Sequence, residues 1–131
     1  HSYGALLGTQ ILFTEPEMFS GYILGSPSLW YGKRHMFALE KAYAAAHRDM
    51  PAKVYVYTGE YEAARAADPR FNKRVDMVGD SDALVETLKR RAYPGLQIRA
   101  DVLNDEDHVS VAPRGFTKGM TYLLPVPLAA E

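Results

Sequence analysis

The chain has 131 residues, of which 47% are hydrophobic and 24% charged, a balance typical of one modest globular domain. Its formal net charge of -1 gives no electrostatic basis for binding nucleic acid or an anionic membrane, and no apolar run is long enough to span a bilayer. The absence of cysteine excludes disulfides, thiolate zinc sites and a cysteine nucleophile.

Helices and strands are predicted to alternate along the chain. Apolar residues 3–14, followed by Pro16, predict a helix, and the short apolar run 22–24, closed by Gly25 and Pro27, predicts a buried strand. The later predicted elements are a helix over 35–48, a strand over 53–59 with a polar loop after it, a helix over 76–93 capped near Asp80 or Ser81, a strand over 96–103 and a last helix within 105–124.

The order αβαβαβα predicts an α/β fold with about three parallel strands and helices on both faces of the sheet. Strands buried on both faces are nearly continuous apolar runs, as in "GYILG" and "VYVYTG". The run "LQIRADVL" alternates more, which predicts a position near the sheet edge. A parallel sheet that starts with a helix lacks a leading strand, so we expect the chain to hold only part of its fold.

The first residues, "HSYG", form most of a nucleophile elbow. A glycine before His1 would complete the G-x-S-x-G motif, in which a sharp strand-to-helix turn exposes the serine hydroxyl. Gly4 occupies a position where a larger side chain is expected to collide with neighbouring elements. The backbone N–H of Tyr3 would then contribute to an oxyanion hole at the helix N-terminus. Alternatively, Ser2 is only the N-cap of the first helix, and the local residues do not decide between the two.

A serine nucleophile needs a histidine base. His108 follows the last predicted strand, which is where the chain order Ser, acid, His places the base. His35 and His47 lie at the ends of an amphipathic helix and are expected on the surface, whereas His1 is expected to pack beside the elbow. His108 is therefore the candidate base.

The acid is expected on the loop after the strand 53–59. Glu62 lies three residues past the strand-ending Gly59 and can turn back toward the histidine, whereas Glu60 is expected to be a solvated loop charge. A carboxylate here would hold the imidazole tautomer. Further options for the acid are Asp68, Asp76 and Asp101.

Three segments together resemble one known group of enzymes. "HSYGALLGTQILFTEPEMFSGYILGSPSLWYG", "VYVYTGEYE" and "DEDHVSV" are similar to landmarks of an esterase group of the α/β-hydrolases, which includes the enterochelin (siderophore) esterases and related acyl hydrolases. Those landmarks are a G-H-S-x-G-G elbow, a helix ending in P-x-x-F, an S-P-S-x-W-W loop, a G-x-x-E after the next strand and a D-H-x-S-V segment. The resemblance spans nearly the whole chain.

The resemblance implies an esterase with an acyl-enzyme intermediate, a small-molecule ester as substrate and no cofactor. It assigns the nucleophile to Ser2, the acid to Glu62, the base to His108, and the pocket to Ser28, Trp30 and Tyr31. Tyr31 replaces a tryptophan that is common in the group. Consecutive acids at 105–107 do not converge on one point, so no metal site is expected there.

The resemblance also implies that the chain is the C-terminal half of a larger hydrolase domain, interrupted at the elbow. The second oxyanion donor would come from an earlier strand and loop. We therefore expect the 131-residue chain alone to be inactive toward esters. The sequence leaves open an acyltransferase, a peptidase of the same superfamily and an inactive binding domain, and it does not identify the ester.

Overall fold

The computed structural model describes residues 1–127, so residues 128–131 of the C-terminal tail lie outside the described part. The order of elements follows the predicted αβαβαβα alternation. The elements are α1 (Tyr3–Thr14), β1 (Gly21–Gly25), α2 (Tyr31–Ala46), β2 (Ala52–Gly59), α3 (Met77–Arg91), β3 (Leu96–Leu103) and α4 (Val111–Leu123). Short 3-10 turns at Pro16–Met18 and Glu60–Glu62 follow α1 and β2.

The strands form one parallel sheet in the order β1-β2-β3. β2 is central and almost fully buried, because helices cover both of its faces. β3 lies at an edge of the described sheet and keeps several half-exposed residues, which confirms the prediction from its alternating sequence.

Two apolar clusters lie on opposite faces of this sheet. The larger joins α1, α2 and α3 to the sheet, and it includes the fully buried Leu12, Leu24 and Val54. The smaller lies under α4 and includes Tyr55 and Val111. Full burial of one such aliphatic side chain contributes about 1.5–3 kcal/mol, so both faces stabilise the sheet.

The first turns of α3 and α2 differ from simple helix starts. α3 begins at Met77, with Asp76 as its cap accepting a hydrogen bond from the Gly79 N–H (2.8 Å), so the predicted cap near Asp80 or Ser81 is wrong. The side chain of Asp80 instead forms an ion pair with Arg34 (3.0 Å). α2 is assigned from Tyr31, but residues 32–34 are left-handed with φ between 56° and 63°, so right-handed helix starts at the predicted position 35.

Parallel strands bring the loops after their carboxyl ends to one edge of the sheet. Those loops are residues 26–30 after β1, residues 60–76 after β2 and residues 104–110 after β3. Open α/β sheets bind ligands at this edge. Within residues 1–127, no helix is both long and apolar enough to cross a bilayer.

Candidate active site

Ser2 lies at a sharp turn immediately before α1. Its backbone has φ 56° and ψ -120°, and its N–H donates to the Gly25 carbonyl at the end of β1 (2.8 Å). A non-glycine residue held in such a conformation costs about 1–3 kcal/mol, and strain of this kind clusters at functional sites. The side chain makes no capping hydrogen bond to α1, so the helix-cap interpretation of Ser2 is not supported.

The Ser2 hydroxyl lies against His108. Ser2 Oγ is 3.1 Å from His108 Nε2, within hydrogen-bonding distance, although 106 positions separate the two residues. His108 occupies the loop between β3 and α4, and its side chain is 41% exposed. Asp107 shapes this loop, because Asp107 Oδ1 accepts hydrogen bonds from the backbone N–H groups of Val109 and Ser110 (both 2.8 Å).

Glu62 occupies the other side of the imidazole. His108 Nδ1 donates to Glu62 Oε1 (2.5 Å), and the Glu62 side chain is only 2% exposed. Its second oxygen, Oε2, accepts from the Gly59 N–H and from the Ser26 hydroxyl, each at 2.6 Å. Because a carboxylate only accepts hydrogen bonds, it holds the imidazole hydrogen on Nδ1 and leaves the Nε2 lone pair facing Ser2.

The other candidate acids have different partners. Glu60 accepts from the Asp105 N–H (2.9 Å), and Asp76 caps α3. Asp101 accepts from the Tyr55 hydroxyl (2.7 Å), and Asp68 is paired with Arg70, which lowers the pKa of Asp68 to about 2. The structure therefore brings only Glu62, among these five acids, to the histidine.

His1 connects the elbow to the His108 loop. Its Nε2 donates to the His108 carbonyl (2.8 Å), and its Nδ1 lies 3.2 Å from the Tyr57 hydroxyl, which confirms that His1 packs beside the elbow. Burial, with a smaller contribution from the Glu62 carboxylate, raises the pKa of Tyr57. His35 and His47 are exposed on the surface, also as predicted.

The surroundings of Gly4, the glycine of the elbow, are more open than predicted. Gly4 is exposed, and a Cβ added there would have no neighbour within 4 Å in the described chain, so the expected collision is absent. The close approach occurs one turn later, because a Cβ on Gly8 would lie 2.9 Å from Leu24 of β1. Tyr3 is the first residue of α1, and N–H groups in the first turn of a helix have no partner within the helix.

Ser2 and His108 line a cavity of about 270 Å³ at the carboxyl edge of the sheet. Its other lining residues are Tyr3, Ser28, Trp30, Asn72, Val75 and Met77. The predicted pocket residue Ser28 is buried, and its hydroxyl lies 3.4 Å from Ser2 Oγ.

Trp30 lines this cavity, whereas Tyr31 does not. Tyr31 instead packs edge-on against Tyr3 (ring centroids 5.8 Å apart), and Trp30 lies 6.1 Å from the same ring. These three aromatic rings, which we call the aromatic rim, are 37–56% exposed. They therefore form an apolar surface beside the Ser2 hydroxyl.

A larger cavity of about 620 Å³ lies at the opposite ends of the strands, near Gly21, Lys53 and Gln97. It contains no residue of the site, and the amino ends of parallel strands are not where such sheets bind ligands. Among residues 1–127, no group of three or more His, Asp or Glu side chains could hold a metal ion.

The sequence did not predict the roles of several residues of this site. Ser26 and Gly59 hold Glu62, and Asn72, Val75 and Met77 line the cavity. The last three lie in or just after the polar loop that follows β2, which has no periodicity from which contacts could be inferred. The resemblance placed Ser26 in the loop near the active site, as part of the "SPSLW" segment, but gave it no contact with the acid.

The curated proteins similar to this chain include two siderophore esterases. The chain is 25% identical over 126 residues to the ferri-bacillibactin esterase BesA of Bacillus subtilis, covering 95% of the chain and 41% of BesA. It is 35% identical over 65 residues to the siderophore triacetylfusarinine C esterase of Aspergillus fumigatus, covering 47% of the chain and 22% of that protein. No protein-family model matches the chain.

Among solved structures, the siderophore hydrolase EstB from Aspergillus nidulans superposes with a TM-score of 0.75 at 26% identity, covering 98% of the chain and 49% of EstB. The homologues are thus siderophore esterases, and the predicted α/β-hydrolase fold class is confirmed. The chain spans less than half the length of these relatives, in agreement with the prediction that it holds only part of the fold.

Proposed function

We propose that this chain carries the nucleophile, base and acid of a serine hydrolase that cleaves carboxylic esters. The observation that carries the proposal is the continuous line of contacts from Ser2 Oγ to His108 Nε2 (3.1 Å) and from His108 Nδ1 to Glu62 Oε1 (2.5 Å). A nucleophile within reach of a base that is itself oriented by a third group is the arrangement that nucleophilic catalysis requires.

Ester cleavage by these residues proceeds in two balanced halves. Ser2 Oγ attacks the carbonyl carbon while its proton moves to His108 Nε2, and the tetrahedral intermediate expels an alcohol that takes this proton. Water then attacks the acyl-Ser2 ester and gives one proton to His108 Nε2. The second tetrahedral intermediate releases the carboxylic acid, and His108 returns that proton to Ser2 Oγ, which restores the free hydroxyl. In both halves the Glu62 carboxylate stabilises the imidazolium that forms.

The negative charge that develops on the carbonyl oxygen needs donors. The Tyr3 N–H, in the first turn of α1 next to Ser2, is our proposed donor, and the positive end of the helix dipole acts in the same direction. We expect the second donor to come from a loop after an earlier strand, outside this chain. Loss of one such donor costs about 2.7–4 kcal/mol in comparable sites, so we expect the 131-residue chain alone to hydrolyse esters poorly.

The proposed substrate is a siderophore-type ester, because the relatives are named for siderophore ester hydrolysis. The aromatic rim adds support, since Trp30 lines the cavity beside Ser2 and can stack on a planar group of the substrate. Replacing Trp30 by alanine is expected to raise KM for aryl esters more than for short aliphatic esters. An equal rise in KM for aryl and aliphatic esters would show that the aromatic rim does not recognise the substrate.

The proposed function is tested by ester hydrolysis in the protein at its full natural length, with Ser2→Ala as the comparison. Hydrolysis that depends on Ser2 supports the proposal, whereas equal rates for the two proteins contradict it. Adding an alcohol separates the two reaction types, because a hydrolase releases mainly free acid and an acyltransferase forms mainly the new ester. A protein that binds the ester without turnover would instead be the inactive binding domain.

A further inference from the structure

Ser26 is a fully buried serine with an unusual backbone conformation. It follows β1 directly, has φ 41° and is 0% exposed. Its N–H donates to the Tyr57 carbonyl (2.7 Å), which extends the pairing of β1 with β2 by one residue. Glycine adopts a positive φ without strain, but glycine has no hydroxyl. The hydroxyl is therefore what distinguishes serine from the glycine that this backbone conformation would favour.

The Ser26 hydroxyl is directed at the Glu62 carboxylate. It donates to Oε2 at 2.6 Å, and the Gly59 N–H donates to the same oxygen at 2.6 Å. Oε1 is left for the His108 imidazole (2.5 Å). With Glu62 only 2% exposed, bulk water has no access to replace a missing donor. Two donors on one oxygen thus fix which oxygen faces His108.

The backbone around Gly59 is closely packed, so it leaves little room for the Glu62 carboxylate to be held in another way. A Cβ on Gly59 would collide with the backbone carbonyl of Glu106, which belongs to the loop that carries His108. The same carbonyl accepts a hydrogen bond from the Tyr61 N–H (3.0 Å). The loop after β2, which carries Glu62, and the loop after β3, which carries His108, are therefore in backbone contact. If the Glu62 carboxylate turned, neither loop could shift slightly to restore its contact with His108.

We propose that Ser26 is a positioning residue, which orients the Glu62 carboxylate toward His108 and thereby acts on the rate of the chemical step without touching the substrate. The inference rests on the proposed function, because it assigns Ser26 a role in the same reaction. Hydrogen bonds to charged groups are stronger than those between neutral groups, so the Ser26 hydroxyl contributes to holding the Glu62 carboxylate in the orientation that faces His108. Loss of the hydroxyl should lower kcat and leave KM unchanged.

The test is a double-mutant cycle in the protein at its full natural length, with ester hydrolysis as the assay. Ser26→Ala removes the hydroxyl and keeps the side-chain carbon, whereas Ser26→Gly removes the hydroxyl and relieves the strained φ. We expect each variant to lower kcat by about tenfold with KM unchanged. If Ser26→Ala does not fold, Ser26→Gly carries the comparison, since glycine is compatible with the observed backbone.

The same substitutions are then made in a Glu62→Ala background. If Ser26 acts through Glu62, removing its hydroxyl changes kcat there by less than about twofold. An equal loss of kcat in both backgrounds overturns the proposal, and so does an unchanged kcat in the wild-type background. Ser81→Ala is the matched control, because its hydroxyl is equally buried and has no hydrogen-bond partner among the described residues, so its kcat should be unchanged.

Failure of this proposal is distinguishable from failure of the proposed function. Activity that survives Ser2→Ala contradicts the proposed function whatever Ser26 does. Activity that is lost in Ser2→Ala but insensitive to Ser26 leaves the nucleophile in place and removes only the positioning role.

Discussion

Replacing Glu62 by glutamine probes the hydrogen-bond network most sharply, because glutamine has nearly the same shape but one oxygen becomes NH₂. The Gly59 N–H and the Ser26 hydroxyl both donate to Oε2, so the amide oxygen must occupy that position. The NH₂ group then faces His108 Nδ1 and donates to it. The imidazole hydrogen is forced onto Nε2, where it points at Ser2 instead of a lone pair.

A base with its lone pair on the wrong nitrogen cannot accept the proton of Ser2. In a triad of the same kind, the corresponding amide substitution lowers kcat about 10⁴-fold through the wrong tautomer. This corresponds to about 5 kcal/mol of transition-state stabilisation. We expect Glu62→Gln to approach this loss, since the Gly59 N–H can only donate and therefore keeps the amide oxygen, not the NH₂ group, at the Oε2 position.

The assay is kcat/KM for a p-nitrophenyl ester in the protein at its full natural length. Glu60→Gln is the matched control, because Glu60 lies in the same turn but contacts the Asp105 N–H rather than the histidine, and its activity should stay within about twofold of wild type. Retention of activity within tenfold of wild type by Glu62→Gln would refute the tautomer argument and reopen the choice of acid.

Three further predictions concern stability and are measured by urea or thermal unfolding. Arg91→Leu should lower the unfolding midpoint, because it leaves the buried Glu40 carboxylate without its bidentate partner (2.7 and 3.0 Å). An unchanged midpoint would show that water replaces Arg91 at this carboxylate. Gly115→Ala should cost about 1–3 kcal/mol, because a Cβ there collides with the Tyr57 ring, and an unchanged midpoint would show that the ring can move. Hydrogen bonds from backbone N–H groups lower the pKa of Asp107 below its ordinary 3.8. The ionised carboxylate therefore stabilises the fold above that value, and this stabilisation disappears as the pH falls through the lower folded-state pKa. The stability difference between wild type and Asp107→Asn should shrink below about pH 4, and a constant difference would contradict this.

The sequence predicts the fold and the three central side chains for a shared physical reason. Parallel strands end at one edge of the sheet, so residues that follow successive strands meet there even when they are far apart in the chain. Glu62 and His108 each follow a strand, and Ser2 precedes α1. Chain order and element type were therefore enough to expect these residues to lie together.

What could not be predicted depends on backbone torsion and on irregular loops. The contact of Ser26 with Glu62 requires a positive φ at a serine, which no propensity favours. Asn72 reaches the cavity from a loop without periodicity, and the Asp76 cap was missed because Asp80 and Ser81 are equally good capping residues. Contacts of this kind follow from the folded chain rather than from the residue pattern.

The most direct test of the central claim is covalent labelling of the nucleophile. The protein at its full natural length is incubated with a fluorophosphonate, and the modified peptide is identified by mass spectrometry. We expect one adduct, on Ser2. It should be absent in Ser2→Ala and form more slowly in His108→Ala, because no imidazole is then left to take the proton from Ser2 Oγ (3.1 Å). An adduct on another residue, or labelling that persists in Ser2→Ala, would contradict this expectation.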